Sequence, residues 1–294
     1  MTHVFSLSEI RLFRVHLKVA DMARSLAFYG DLLGFKESRK SDSTAALWAS
    51  SNLPEHLVLT EIRSARPRPP GTTGLFHVAI RLPHRSALAN LLRRLLDRGW
   101  PIQGAAHHGV SEAIYLSDPD KNGVELYSDV PRDLWAWEKG YVKMATEPLD
   151  VDNLLSEAPK NAPEWKGIDP LADIGHIHLQ VSDLTRSEQF YHGLLGFDIT
   201  QRSYPGALFL SAGGYHHHIG LNIWAGRGAS PAPPEAVGLL SFALQVRDRE
   251  SWISLKDRIA SARMPRETTN TLNQSTDVLI RDPDGNLIEV VPAN

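Results

Sequence analysis

The chain repeats itself, and a repeated chain can fold only as a multiple of its unit. His16-Leu17-Lys18-Val19-Ala20-Asp21, Arg24-Ser25, Phe28-Tyr29 and Leu33-Gly34-Phe35 form the first copy of one segment. They return about 162 positions later as His178-Leu179-Gln180-Val181-Ser182-Asp183, Arg186-Ser187, Phe190-Tyr191 and Leu195-Gly196-Phe197. Asp118-Pro119-Asp120-Lys121-Asn122 likewise returns as Asp282-Pro283-Asp284-Gly285-Asn286, about 164 positions on. Each half divides again into two units of similar grammar: a short apolar strand, an amphipathic stretch, then turn-separated strands. Four modules are therefore expected, near residues 10–65, 73–130, 172–228 and 236–292. Taken with sequence order, they suggest an N-terminal domain over 1–130, a connector over 131–171 and a C-terminal domain over 172–294.

Local signals fit that grammar. Val15-His16-Leu17-Lys18-Val19 and Leu75-Phe76-His77-Val78-Ala79-Ile80 read as strands. Asp21 and Asp183 are placed as helix N-caps, where a carboxylate accepts from free first-turn amides. Leu26, Tyr29, Leu32 and Leu33 make a stripe at helical spacing, as do Leu88, Leu91, Leu92, Leu95 and Leu96. Asp118-Pro119-Asp120 is a turn between Tyr115-Leu116 and Val124-Glu125-Leu126-Tyr127. The segment 131–171 fits no module and predicts one short helix at Asp152–Ala158 in a connector packed across the domains.

Composition narrows the class. There is no cysteine, which excludes disulfides and thiolate metal sites. Thirty-one Lys and Arg against 34 Asp and Glu give a slightly acidic chain, with nothing that calls for nucleic acid. No apolar run is long enough to span a membrane, and no signal-peptide pattern opens the chain, so the expectation is a cytoplasmic protein.

The copies differ in a pointed way. His77, His108, Tyr115 and Glu125 fall where the other half has Ser241, Leu272, Leu279 and Glu289. Strands that served packing alone could use aliphatics in both places. The polar copy therefore reads as an active half-site and the other as its retired twin, with Glu289 the salt-bridged strand residue that a lone Glu usually is. His3, His84, His107 and His192 take the ordinary structural role of a hydrogen-bonded histidine.

Four βαβββ units resemble the vicinal oxygen chelate superfamily, which includes glyoxalase I, bleomycin-resistance proteins and type I extradiol dioxygenases. The resemblance covers nearly the whole chain apart from the connector. It implies an α+β fold of two glyoxalase-like domains, with curled mixed sheets around a metal-lined cavity. His108, Ile114-Tyr115, Asp118-Pro119 and Glu125 are similar to the extradiol signature. Lys121 departs from it, standing at a position usually glycine or proline, and Ala106 replaces the usual residue before the His. Gly175-His176-Ile177-His178-Leu179 and the stretch from Gly213 to Trp224, with its His216-His217-His218, resemble the Bacillus-type catechol 2,3-dioxygenase group.

The resemblance also implies a chemistry and the residues for it. Two neutral imidazoles and a carboxylate on one face of Fe(II), with Mn(II) as the other candidate, leave adjacent positions open. A small aromatic diol and O2 are the implied substrates, and a homo-oligomer is left open. By the same resemblance, Glu125 and His77 carry over as metal ligands, His108 as an acid–base histidine and Tyr115 as the substrate-binding hydroxyl. The third ligand is His16 if neighbouring modules pair, or His178 if the second module pairs with the third. His56 and His218 match each other on the fourth strands, where the family has a further second-sphere catalytic histidine; His178 and His218 are the preferred set. The reason is that His176 and His178 share a strand face, as His216 and His218 would, and such crowding makes sense around a metal; His217 should then face away. Two other readings stand beside the dioxygenase: a glyoxalase-like isomerase or lyase, and a metal-free binding protein of the bleomycin-resistance type. Cleavage of a hydroquinone is a close variant of the first.

Overall fold

The computed structural model describes residues 7, 9–50, 55–158, 165–262 and 278–293. Leu272 and His3 lie outside these described residues. The first module contributes β1 (Ile10–Val19), β2 (Lys36–Ser41), β3 (Thr44–Trp48) and β4 (Leu57–Glu61). The second contributes β5 (Gly74–Leu82), β6 (Ile102–His107), β7 (Ser111–Ser117) and β8 (Gly123–Asp129). Short strands β9 (Trp137–Glu138), β10 (Tyr141–Val142) and β11 (Glu147–Pro148) cross the connector. The third module supplies β12 (Asp173–Gln180), β13 (Asp198–Gln201), β14 (Ala207–Ser211) and β15 (Ile219–Asn222). The fourth supplies β16 (Gly238–Val246), β17 (Val278–Arg281) and β18 (Leu287–Pro292) among the described residues.

The sheets do not follow the two halves of the chain. One has seven strands in the order β17-β18-β16-β1-β4-β3-β2 and joins the first module to the fourth. The other has nine, β11-β6-β7-β8-β5-β12-β15-β14-β13, and joins the second module to the third. Neighbouring modules thus do not share a sheet: the second pairs with the third, the arrangement that the preference for His178 assumed, and the first with the fourth. Antiparallel pairing of the first strands makes both joints, β1 with β16 and β5 with β12. Covalent neighbours are held differently, by helix-to-turn clips. Tyr29 donates to Asp118 Oδ2 at 3.0 Å, and Tyr191 to Asp282 Oδ2 at 2.8 Å. Each module is therefore tied to one partner by a sheet and to another by a clip.

Helices cover the sheets. Asp21 caps α1 (Met22–Leu26) and Asp183 caps α4 (Leu184–Glu188), each accepting from the amide three residues on at 2.9 Å. Both helices continue into π-helical turns at Ala27–Leu32 and Gln189–Leu194. Tyr29 and Leu33 bury their side chains beneath the first, as the apolar stripe requires. In α2 (Arg85–Asp97), Leu88, Leu91, Leu92 and Leu95 are buried and Leu96 is exposed. The helix expected at Asp152–Ala158 is α3 (Val151–Ser156), and α5 (Arg249–Ser261) belongs to the fourth module. One apolar core drawn from all four modules runs under both sheets. No helix among the described residues is long and apolar enough to cross a membrane.

The Asp-Pro turns repeat atom for atom. Asp118 Oδ1 accepts the amides of Asp120 and Asn122, and Asp282 Oδ1 those of Asp284 and Asn286. The turn needs a left-handed residue: Gly285 adopts φ +87° and Lys121 adopts +68°. The departure from the signature at Lys121 is thus a side chain held where glycine is at ease.

Candidate metal centre

The nine-stranded sheet curls round a cavity of about 290 Å³ lined mainly by apolar and aromatic side chains, with His77, His108, Tyr115, Glu125, His176, His178 and His217 in its wall. Strand register explains which of these meet. On β5, Ala79 stands opposite Glu125 of β8 on one side and His176 of β12 on the other. Its methyl group leaves room for the two long side chains to meet above it. His77, two residues earlier on the same face, leans in from the next row. Glu125 Oε2 lies 3.0 Å from His77 Nε2 and 3.1 Å from His176 Nε2, and all three residues are buried.

The third member is His176, not the expected His178. Both share a strand face, but His178 stands in the row of His77, across from it on β12. Its Nε2 meets Asn222 Nδ2 at 3.0 Å, while Asn222 Oδ1 accepts the Trp224 amide at 3.0 Å. Asn222 therefore donates to that nitrogen and occupies its lone pair. Gly220 makes this packing possible, because a Cβ there would stand 2.9 Å from the His178 ring. His16, the alternative ligand, lies in the other sheet and meets Thr60 Oγ1 at 2.8 Å.

Electrostatics suit a cation. Burial alone would raise the Glu125 carboxyl, but nearby His176 and His77 outweigh it and hold it well below the usual carboxylate range. Burial pushes His176 down to about 4, against the pull of Glu125. At neutral pH the centre thus holds an ionised carboxylate beside a neutral His176 imidazole, and a buried charge without a counter-ion is costly. His77 Nε2 is buried and, though close to Glu125, makes no hydrogen bond. An orphaned imidazole nitrogen beside a carboxylate and a second imidazole is a donor set that fits a divalent metal ion.

Beside this cluster, His108 and Tyr115 form a pair. His108 Nδ1 donates to the Ala145 carbonyl at 2.7 Å, so its Nε2 accepts from the Tyr115 hydroxyl, also at 2.7 Å. Burial, then the Glu125 charge, raises the Tyr115 pKa well above its ordinary value, so the phenol stays protonated.

The expected second-sphere histidine, His218, is elsewhere. Its Nδ1 faces Ser211 Oγ at 2.9 Å, and its ring packs on Tyr215. Its repeat partner His56 accepts the Ala49 amide through Nδ1 at 3.3 Å, so the histidine does related turn-holding work in both halves. His217, expected to face away, lines the cavity with its ring 4.1 Å from that of His176. Strand alternation does not extend to it, because residues 212–218 form a loop between β14 and β15. Behind His217 lies a hydrogen-bonded chain that sequence reasoning missed. His217 Nδ1 meets His216 Nδ1 at 2.7 Å, and His216 Nε2 donates to Asp129 Oδ1 at 3.0 Å. Asp129 also accepts from Tyr215, whose hydroxyl meets that of Tyr127 at 2.7 Å. Asp129 can only accept, so His216 Nε2 carries a proton toward it. One proton sits between the two Nδ1 atoms and joins the imidazoles. The remaining histidines are structural: His84 caps α2, His107 accepts the Gly109 amide, and His192 bonds the Phe197 carbonyl.

Comparison with known proteins gives a consistent picture. The sequence matches the profile of the Glyoxalase/Bleomycin resistance protein/Dioxygenase superfamily over residues 11–126 and 173–290. It is 44% identical over 257 residues to a catechol-2,3-dioxygenase of Bacillus subtilis (strain 168), covering 86% of this chain and 88% of that one. Among solved structures, one from Bacillus subtilis subsp. subtilis str. 168 aligns with a TM-score of 0.65 at 14% identity, over 98% of this chain and 86% of that one. Glyoxalase I from Zea mays aligns with a TM-score of 0.55 at 17% identity, over 96% of this chain and 92% of that one.

Proposed function

The chain belongs to the glyoxalase/bleomycin resistance protein/dioxygenase superfamily, and from that premise we propose that it is an Fe(II)-dependent extradiol dioxygenase acting on catechol or a substituted catechol with O2. His77, Glu125 and His176 hold the metal, with Mn(II) as the other candidate. When bound, the ion supplies a face on which diol and dioxygen are held together and electron density passes between them.

The protein's own groups handle protons. A diol hydroxyl beside Tyr115 finds a neutral phenol whose proton is already directed at His108 Nε2. Tyr115 therefore accepts from the diol while His108 takes the displaced proton. The Ala145 carbonyl holds the imidazole in the required tautomer. On the side of His176, His217 is a second imidazole lining the cavity and serves as a further acid–base group, backed by His216 and Asp129. The apolar wall excludes water, which would compete with the diol.

The observation that carries this reading is the His108–Tyr115 pair opening into the same cavity as His77, Glu125 and His176. A metal-dependent isomerase has no need of that pair. Protein loaded with Fe(II) under argon and then given catechol and air should take up one O2 per diol as a yellow ring-opened product appears. Metal bound without oxygen uptake on any catechol or hydroquinone would return the site to the isomerase or lyase class.

A further inference from the structure

Phe76, His178, Phe209 and Trp224 form one connected aromatic cluster in the cavity wall. Ring centroids lie 5.2 Å apart for Phe76 and His178, 5.3 Å for Phe76 and Trp224, and 5.6 Å for His178 with each of Trp224 and Phe209. Buried Asn222 pins two members at once, donating to the His178 ring and accepting from the Trp224 backbone. His178 and Phe209 are buried, whereas Phe76 is 36% and Trp224 50% exposed, so the cluster runs from the interior to the rim. The cavity lining includes Glu125 but neither a lysine nor an arginine among the described residues.

We propose that this wall makes the cavity select diols whose ring substituent is uncharged and apolar, with Phe76 and Trp224 closing on the substituent at the mouth. The proposal rests on the extradiol reading and deepens it. Two half-exposed aromatic faces gain by covering a hydrocarbon group, since water leaves both surfaces. A carboxylate on the ring would enter a low-dielectric space whose lining offers it no side-chain cation. Hydrogen bonding points the same way: His178 Nε2 is already engaged by Asn222, so that nitrogen offers a polar substituent neither a proton nor a lone pair.

The test is calorimetric titration of the Fe(II)-loaded protein under argon with catechol, 4-methylcatechol, 4-propylcatechol and 3,4-dihydroxybenzoate. Kd should fall about threefold for each added carbon of the alkyl series. The carboxylate should bind at least about tenfold more weakly than 4-methylcatechol. In Trp224→Ala the ratio of propylcatechol to catechol affinity should shrink to within about twofold. In Phe76→Arg the carboxylate should gain on the methyl compound. An alkyl series that is flat, or 3,4-dihydroxybenzoate binding as well as 4-methylcatechol, overturns the proposal. Oxygen uptake on plain catechol separates the two failures. Uptake with a flat series rejects only the selectivity, whereas no binding and no uptake with any diol rejects the dioxygenase reading and this inference with it.

Discussion

The two curled sheets of this molecule solve one electrostatic problem in two ways. In the nine-stranded sheet Ala79 is flanked by Glu125 and His176, with His77 beside them. In the seven-stranded sheet the repeat places Ala243 between Glu289 and Arg14, with Ser241 at the position of His77. There the Arg14 guanidinium pairs directly with Glu289, and Ser241 Oγ donates to Glu289 Oε1 at 2.6 Å. The buried glutamate is kept in both. One half answers it with a side-chain cation and closes the site. The other surrounds it with imidazole nitrogens and leaves it fit for a metal ion. Retirement of a site, on this scaffold, consists of building the counter-ion into the chain.

That contrast can be attacked at several points. The largest effect should come from the ligand set. Glu125→Gln and His176→Ala should each cost at least about a hundredfold in metal affinity, with far-ultraviolet circular dichroism unchanged, while His178→Ala keeps its metal. Metal analysis after gel filtration decides this, and retention by His176→Ala would reinstate His178. Next, His108→Phe should bind metal normally yet slow ring opening by about 10²-fold or more; full turnover in stopped flow removes His108 from the chemistry. In the retired half, Arg14→Met should lower stability by about 3–5 kcal/mol, because it strands a buried glutamate. The companion Arg14→Met/Glu289→Gln should recover most of that loss in urea melts.

A smaller effect is acid sensitivity in that same half. Burial lowers both His16 and His56 to about 4 from 6.5. The unfolded chain therefore binds protons before the folded one does. Stability should be intact above pH 6.5 and fall towards pH 4, by about 1 kcal/mol per histidine for each unit. His56→Gln should flatten the dependence of the urea midpoint on pH. Smallest of all, Lys121→Gly should stabilise by about 0.5–1 kcal/mol by matching the turn to its twin at Gly285, read as a shift in Tm.

Much of this was open to inspection in the sequence. The repeat, both Asp caps, the Asp-Pro turns and Glu289 as an ion-paired residue follow from local chemistry, and local chemistry is written in neighbouring residues. Module pairing was not, because two first strands with the same pattern can pair with either partner. His176 was missed although a signal for it existed. Counting seven residues back from each observed N-cap gives Arg14, His77, His176 and Ser241 from Asp21, His84, Asp183 and Asp248. The same count from Asp183 excludes His178. The expectation that His217 faces away missed for a different reason: strand parity was carried through a loop that the glycines Gly213 and Gly214 had already begun.

The crossing of the sheets has one more consequence. Glu125 and His176 lie on opposite sides of the connector, so an ion held by both closes a loop of about 50 residues. In a chain without cysteine, such an ion is a removable staple: it ties the first half to the second as a disulfide would, and a chelator can take it out.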